Sequence, residues 1–416
     1  MKYLIIGAGD RGQMYGRYSE RYPGEAEVVG VAEPREHQRQ LVADKYGLPS
    51  ARVFKDWREA AAVPRFADAV IIATQDQDHT EPALAFAACG YHILLEKPMA
   101  TSADECRRIV AAAEKFDVIF AVGHVLRYTP YFSKFKELLN EGVVGEVVNI
   151  QHCEPVGFWH MAHSFVRGNW RIRKESSFML LAKSCHDLDV LRWLMAEPCR
   201  RVSSFGSLSH FLPANKPSGA SDRCLECVVE RSCPYSAPRL YHRLRESGRH
   251  GWPLHVVTND FTEEGVNAAL SSGPYGRCVY SCDNDVVDHQ VVNLEFDSGR
   301  TANFLMTAFS HDDAARTTRI FGTHGEIRGD SRVISVHRFG EENPVVIDTG
   351  DLIENADSGH GGGDFGLMEA FVKAVSTGDR SHILSGPQET LESHLMVFAA
   401  EESRMSGQTV LVNSCM

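Results

Sequence analysis

The chain has 416 residues, enough for two ordinary domains with insertions, and 43% of them are hydrophobic, so a sizeable core needs no staples. Acidic residues outnumber Lys and Arg by 55 to 43, a net charge of -12, which excludes a chain-wide basic footprint for nucleic acid. No apolar run approaches the ~18 residues needed to span a bilayer. Met1-Lys2 leads straight into Tyr3-Leu4-Ile5-Ile6 with no secretion-signal pattern. The expectation is a cytoplasmic protein with no membrane or nucleic-acid partner. In that compartment the 11 cysteines should be reduced or metal-bound.

Residues 1–125 alternate two signals. Tyr3–Ile6, Val28–Ala32, Ala69–Ala73, Ile93–Glu96 and Val118–Val122 are short apolar runs. Between them, Arg35–Tyr46, Thr80–Cys89 and Ser102–Phe116 read as amphipathic helices. Apolar strands alternating with helices predict a doubly wound parallel sheet covered on both faces. From about residue 145 the pattern changes. Glu146–Cys153, Arg201–Ser207, Val287–Phe296, Thr301–Phe309, Thr317–Phe321 and Val333–Arg338 read as strands of a mostly antiparallel open sheet, with a strong helix over Lys183–Met195. Residues 212–283 are rich in Pro, Gly, Ser and Cys and read as an insertion with little core of its own. Further helices are expected over Asp364–Thr377, after His360-Gly361-Gly362-Gly363, and over Gln388–Met405. The domains are thus residues 1–125, a Rossmann domain, and 126–416, an α/β domain interrupted at 212–283.

The first strand runs into Gly7-Ala8-Gly9-Asp10-Arg11-Gly12, a G-x-G-x-x-G at a strand-to-helix turn. Gly7 permits the turn, Gly9 admits a pyrophosphate and Gly12 lets the helix pack close. The helix N-terminus offers amide donors to phosphates. Glu33 ends the second strand, where a carboxylate hydrogen-bonds ribose hydroxyls and repels a 2′-phosphate. NAD is therefore expected over NADP, with Arg35 as the residue that would tolerate the extra phosphate.

Leu94-Leu95-Glu96-Lys97-Pro98 follows at the end of a later strand. On these features the chain resembles the Gfo/Idh/MocA oxidoreductases over nearly its whole length. The resemblance implies that Lys97 lies between nicotinamide and substrate on the reacting hydroxyl. Elementary chemistry agrees, because an ammonium stabilises alkoxide character as hydride leaves. The resemblance also implies that Arg11, Thr74, Gln75, Glu96, Trp170 and Arg171 stand near the cofactor, with His79 either there or in packing. Arg127 and Tyr128 follow a strand that the family turns toward its site; Arg127 would pair with a substrate anion or with an internal carboxylate. Many members carry D-x-x-x-H on the helix of the second domain. Here Ala182 stands at the aspartate position and His186 at the histidine, so His186 is the expected acid/base, with Lys183 on the same face as a substitute for the missing acid and Asp187 or Asp189 to orient it or anchor the helix. Tyr128, His160, His163, Arg167, Asp288, His289 and His311 are further pocket candidates.

In the insertion, Cys224, Cys227 and Cys233 have C-x2-C-x5-C spacing, and Cys278 lies beyond the loop. A four-thiolate structural zinc is the favoured reading, with free reduced thiols or a redox role as alternatives. The expected activity is NAD-dependent oxidation of a hydroxyl on a sugar, polyol or sugar derivative. The alternatives are a glycoside-cleaving enzyme that oxidises transiently and recycles NAD, and an NAD-sensing protein on the same scaffold. An exposed sheet face predicts a homodimer or homotetramer.

Overall fold

The computed structural model describes residues 1–311, 315–353 and 359–412. The N-terminal sheet has six strands: β1 (Lys2–Ile6), β2 (Glu27–Ala32), β3 (Val53–Phe54), β4 (Ala69–Ile72), β5 (His92–Leu95) and β6 (Phe120–Val122). They run in the order β3-β2-β1-β4-β5-β6 with every pair parallel. The order reverses between β1 and β4, so the loops after these two strands face one crevice. Helices Thr80–Ala88 and Ala103–Lys115 bury Phe86, Cys106 and Ile109 on one face of the sheet. The other face takes Tyr15 and Tyr18 from helix Asp10–Arg21. It also takes Leu367, Met368 and Phe371 from helix Gly363–Thr377, near the far end of the chain. β3 escapes sequence reading because two residues carry no periodicity.

The second sheet has nine strands. They are β7 (Val147–Pro155), β8 (Cys199–Ser207), β9 (His289–Phe296), β10 (Thr301–Thr307), β11 (Thr317–Gly322), β12 (Gly325–Gly329), β13 (Val333–Arg338), β14 (Val345–Asp348) and β15 (Val410–Leu411). Their order is β14-β13-β12-β11-β7-β10-β9-β8-β15, antiparallel except where β7 meets β10. Helices Met179–Met195 and Pro387–Ser406 supply Leu181, Leu188, Leu191, Met396 and Ala399 to the core under one face. β9 and β10 alternate buried and outward residues, as a sheet covered on one side requires. On the outward face Phe205, Val291 and Leu305 stand side by side across three strands.

The insertion corrects the sequence reading. Helices Ala237–Glu246, Leu254–Val257 and Glu263–Ser272 enclose a small core of Tyr241, Leu244, Leu254, Val266, Leu270 and Tyr275. Tyr241 and Leu244, and Val266 and Leu270, are spaced to share a helix face. Three arginines in the first helix and the surrounding Gly and Pro mask that period. Among the described residues no helix is long and apolar enough to cross a membrane.

Candidate active site at the strand-order reversal

Gly7 has φ +91°, and a Cβ there would lie 2.5 Å from the carbonyl oxygen of Ala73. A Cβ on Gly12 would fall 2.0 Å from the oxygen of Gly7. Gly9 differs, since its Cβ would meet only Arg35 Nη2, at 3.5 Å. The space in front of Gly9 is thus open at the N-terminus of helix Asp10–Arg21, where backbone donors lack helical partners. Glu33 is buried, and its Oε2 accepts from the Ala8 amide at 2.8 Å. Its Oε1 accepts from the Arg35 amide and Arg35 Nε, at 3.0 and 2.7 Å. Burial pushes the Glu33 carboxyl up, but these donors prevail and hold it below its ordinary range.

A cleft of about 290 Å³ runs from Gly9 and Arg35 past Thr74 and Gln75 to Lys97 and His186. Trp170 lines it too, its Nε1 donating to buried Asp76 at 3.2 Å. At its inner end Glu96 accepts from Arg11 Nε at 2.6 Å, from the Tyr15 hydroxyl at 2.7 Å and from the Lys97 amide at 2.9 Å. Burial raises the Glu96 carboxyl, yet Arg11, Tyr15 and Lys97 together keep it below the usual range. Arg11 also grips Asp364 at 2.6 Å, so it ties the glycine loop to helix Gly363–Thr377. Lys97 Nζ donates to the backbone oxygen of Ala182 at 2.8 Å. His186, four residues on, is 5% exposed. Burial first, then the charge of Lys97 and the neighbouring His124, His360 and Arg316, hold its ring well below the ordinary histidine value. It is therefore neutral at pH 7, with Nδ1 buried and without a partner among the described residues.

Several residues anticipated for the site lie elsewhere. Arg127 is 1% exposed and clasps Asp189 with two bonds of 2.7 Å, so its partner is the internal carboxylate. The Tyr128 hydroxyl meets Ser385 Oγ at 3.0 Å outside the cleft. Arg171 pairs with Asp283 at 2.9 Å and does not line the cleft. His79 is buried, its ring nitrogens against the oxygens of Pro98 and Thr74, where it braces the loop without reaching the cleft. Lys183 Nζ turns to buried Glu154 at 3.0 Å. Asp187 is held by His152 and Arg316, so neither it nor Asp189 orients His186; both anchor the helix. His163 lines the cleft, and the His160 ring lies 5.0 Å from that of Trp252. Buried Arg167 binds the oxygens of Tyr235 and Arg277. Asp288 accepts from Ser209 and His210, with His289 beside it, and His311 stands near Phe158.

Sequence reading missed five cleft residues, Trp252, Val256, Tyr275, Ser164 and His360. The first three come from the insertion, where no motif marks them.

The four expected zinc ligands, Cys224, Cys227, Cys233 and Cys278, do line one cavity of about 20 Å³. Yet among the described residues no three His, Cys, Asp or Glu side chains form a group able to hold a metal ion. The Cys224 sulfur is instead engaged by Arg167 Nη2 at 3.6 Å and by the oxygen of Arg277 at 3.7 Å. The structure does not assemble the zinc site that the spacing suggested.

Residues 1–124 match the model of an oxidoreductase family with an NAD-binding Rossmann fold, and residues 136–412 match that family's C-terminal alpha/beta domain. The chain belongs to the Gfo/Idh/MocA oxidoreductase family. It is 24% identical over 365 residues to the protein YteT of Bacillus subtilis (strain 168), covering 80% of this chain and 82% of that protein. It is 28% identical over 323 residues to a 2,7-anhydro-N-acetylneuraminate hydratase of Mediterraneibacter gnavus, covering 77% of this chain and 76% of that enzyme. Its fold is that of a levoglucosan dehydrogenase solved with NADH, at TM-score 0.71, 19% identity and 99% coverage of both chains. Within the Gfo/Idh/MocA frame the departure at Ala182 takes a concrete form: a helix carbonyl receives the Lys97 ammonium where an aspartate side chain was expected.

Proposed function

We propose that this Gfo/Idh/MocA oxidoreductase oxidises a hydroxyl on a sugar, polyol or sugar derivative with NAD. One observation carries the reading. Lys97 and His186, on elements from the two halves of the chain, line the same cleft as the glycine loop. The residues fit the cofactor: Gly9 leaves room for a pyrophosphate, and the Glu33 carboxylate, just after β2, would accept from the ribose hydroxyls. NAD supplies the hydride acceptor when bound. Lys97 holds the substrate oxygen and stabilises its developing negative charge. His186, neutral at pH 7, takes the hydroxyl proton. Thr74, Gln75 and Trp170 flank the cofactor.

A second reading, transient oxidation with return of the hydride, is favoured by the likeness to a hydratase over most of its length. Adding water to an anhydro sugar leaves no net redox change. The test is to supply ring sugars, anhydro sugars, polyols and sugar acids with NAD and to count NADH per product. Stoichiometric NADH supports dehydrogenation; product with no net NADH supports the cyclic reading. Lys97→Met with full turnover in either assay would remove the assignment.

We also infer a homodimer or homotetramer through the outward sheet face. Phe205, Val291 and Leu305 are 62%, 38% and 39% exposed and adjacent. Such a patch is covered in most soluble proteins. Val291→Arg should lower the mass seen by light scattering. A monomeric wild type would overturn the inference.

A further inference from the structure

We infer that the insertion is the outer wall of the cofactor site: Trp252, His255 and Val256 close over the dinucleotide and retain it between turnovers. The inference rests on the reading of the cleft as the NAD site.

The first observation is placement. The cleft is lined by Gly9, Asp10 and Arg11 and also by Trp252, Val256 and Tyr275. The insertion therefore borders the same cleft as the turn that would receive the phosphates.

The second is a bond across the gap. His255 Nε2 lies 2.6 Å from Asp10 Oδ1. Asp10 is the first residue of the helix whose N-terminus faces the cleft. A free carboxylate there would oppose a diphosphate, because like charges a few ångströms apart repel. The bond to Asp10, ahead of the opposing effect of burial, raises the basicity of the His255 ring. A protonated His255 cancels the charge of Asp10 and fastens the insertion to the glycine loop.

The third is the surface itself. Trp252 is 42% exposed, yet its ring is braced by Trp159 at 5.5 Å, His160 at 5.0 Å and His163 at 5.6 Å. A rigid aromatic face left open beside a dinucleotide groove suits a planar ligand. The insertion can bear this load because it has its own core and is tied down by Arg167 at Tyr235 and Arg277. A dinucleotide beneath this wall leaves only after the His255–Asp10 bond opens. Slow release suits a reaction in which the hydride is taken from a substrate and handed back within one residence.

The test follows NADH fluorescence as the loaded enzyme is chased with excess NAD. His255→Ala and Asp10→Asn should each speed release about tenfold, the scale of one charge-assisted bond. The double variant should release no faster than the quicker single, since both remove one interaction. Trp252→Ala should speed release as well, and His255→Gln, which retains a donor, should restore part of the retention. NADH that binds but leaves all variants at the wild-type rate overturns the wall alone, as do effects of the two singles that simply multiply. Wild-type protein that binds no NADH overturns the cofactor reading and the wall together.

Discussion

Lys97 Nζ donates to the backbone oxygen of Ala182 at 2.8 Å, one helical turn before His186. The carbonyl positions the ammonium without neutralising it. Lys183 adds no free charge, because Glu154 compensates it. The Lys97 charge is thus left for the substrate. Sugar acids should bind better than neutral sugars of the same shape. Ala182→Asp should take over Lys97 and raise KM for the acid about tenfold, with a smaller change for the neutral sugar. Steady-state kinetics on such a pair checks this, and equal effects on both would sink it.

The second prediction concerns pH. His186 works as a base in its neutral form, and its depressed pKa keeps it neutral below the ordinary value of 6.5. The acid limb of kcat/KM should therefore lie below the usual histidine range. The same burial acts on stability. His124 and His163 are held at about 3 and His394 at about 4, in each case chiefly by burial. Each binds fewer protons folded than unfolded, so its contribution is present above the unfolded pKa and is lost as pH falls below it. Each such ring should remove up to about 1.4 kcal/mol per pH unit once the unfolded state is protonated. The Tm should fall steeply between neutral pH and pH 5. A flat Tm over that interval would contradict it.

How much of this was legible before the structure depended on distance along the chain. β1, β4 and β5 were readable because buried parallel strands need short runs of consecutive apolar residues. Gly7, Gly9 and Gly12 were readable because a turn, a clearance and a close contact all require them within six residues. The meeting of Lys97 and His186 at one cleft was readable from motif and register. The fate of Arg127 was not, because its partner Asp189 sits 62 residues on, on a helix that no local pattern places beside it. Lys183 misled for a similar reason: a helix face was predictable, whereas Glu154 on the facing strand was not. Trp252 and His255 acquire meaning only when the insertion folds back onto Asp10.

The third prediction separates two glycines. Gly7→Ala forces a Cβ to 2.5 Å from the Ala73 oxygen at a φ of +91°, so the loop must shift. Stability and NADH binding should fall together. Gly9→Ala has room in the protein, where only Arg35 lies at 3.5 Å. Its methyl projects toward the phosphates instead, so Tm should change by little while NADH affinity drops about tenfold or more. Thermal melts and NADH titration of both variants decide it. Equal Tm losses in the two would show that Gly9 serves the fold rather than the cofactor.

The last prediction tests a buried pair that sequence reading assigned to substrate. Arg127 is 1% exposed, and besides Asp189 it reaches Glu389 at 3.1 Å and the carbonyl of Leu384. It therefore ties the segment after β6 to helix Met179–Met195, which carries His186, and to the start of helix Pro387–Ser406. Arg127→Met leaves the Asp189 carboxylate buried without its cation, which should cost about 3–5 kcal/mol. Arg127→Met with Asp189→Leu removes both charges and should recover much of that loss, since the cost lies mainly in the orphaned carboxylate. Chemical denaturation of the two variants measures the difference. If Arg127 were a substrate ligand, Arg127→Met would leave stability unchanged and raise KM alone. The clasp predicts the reverse order: stability falls first, and kinetics suffer only as helix Met179–Met195 loosens its hold on His186.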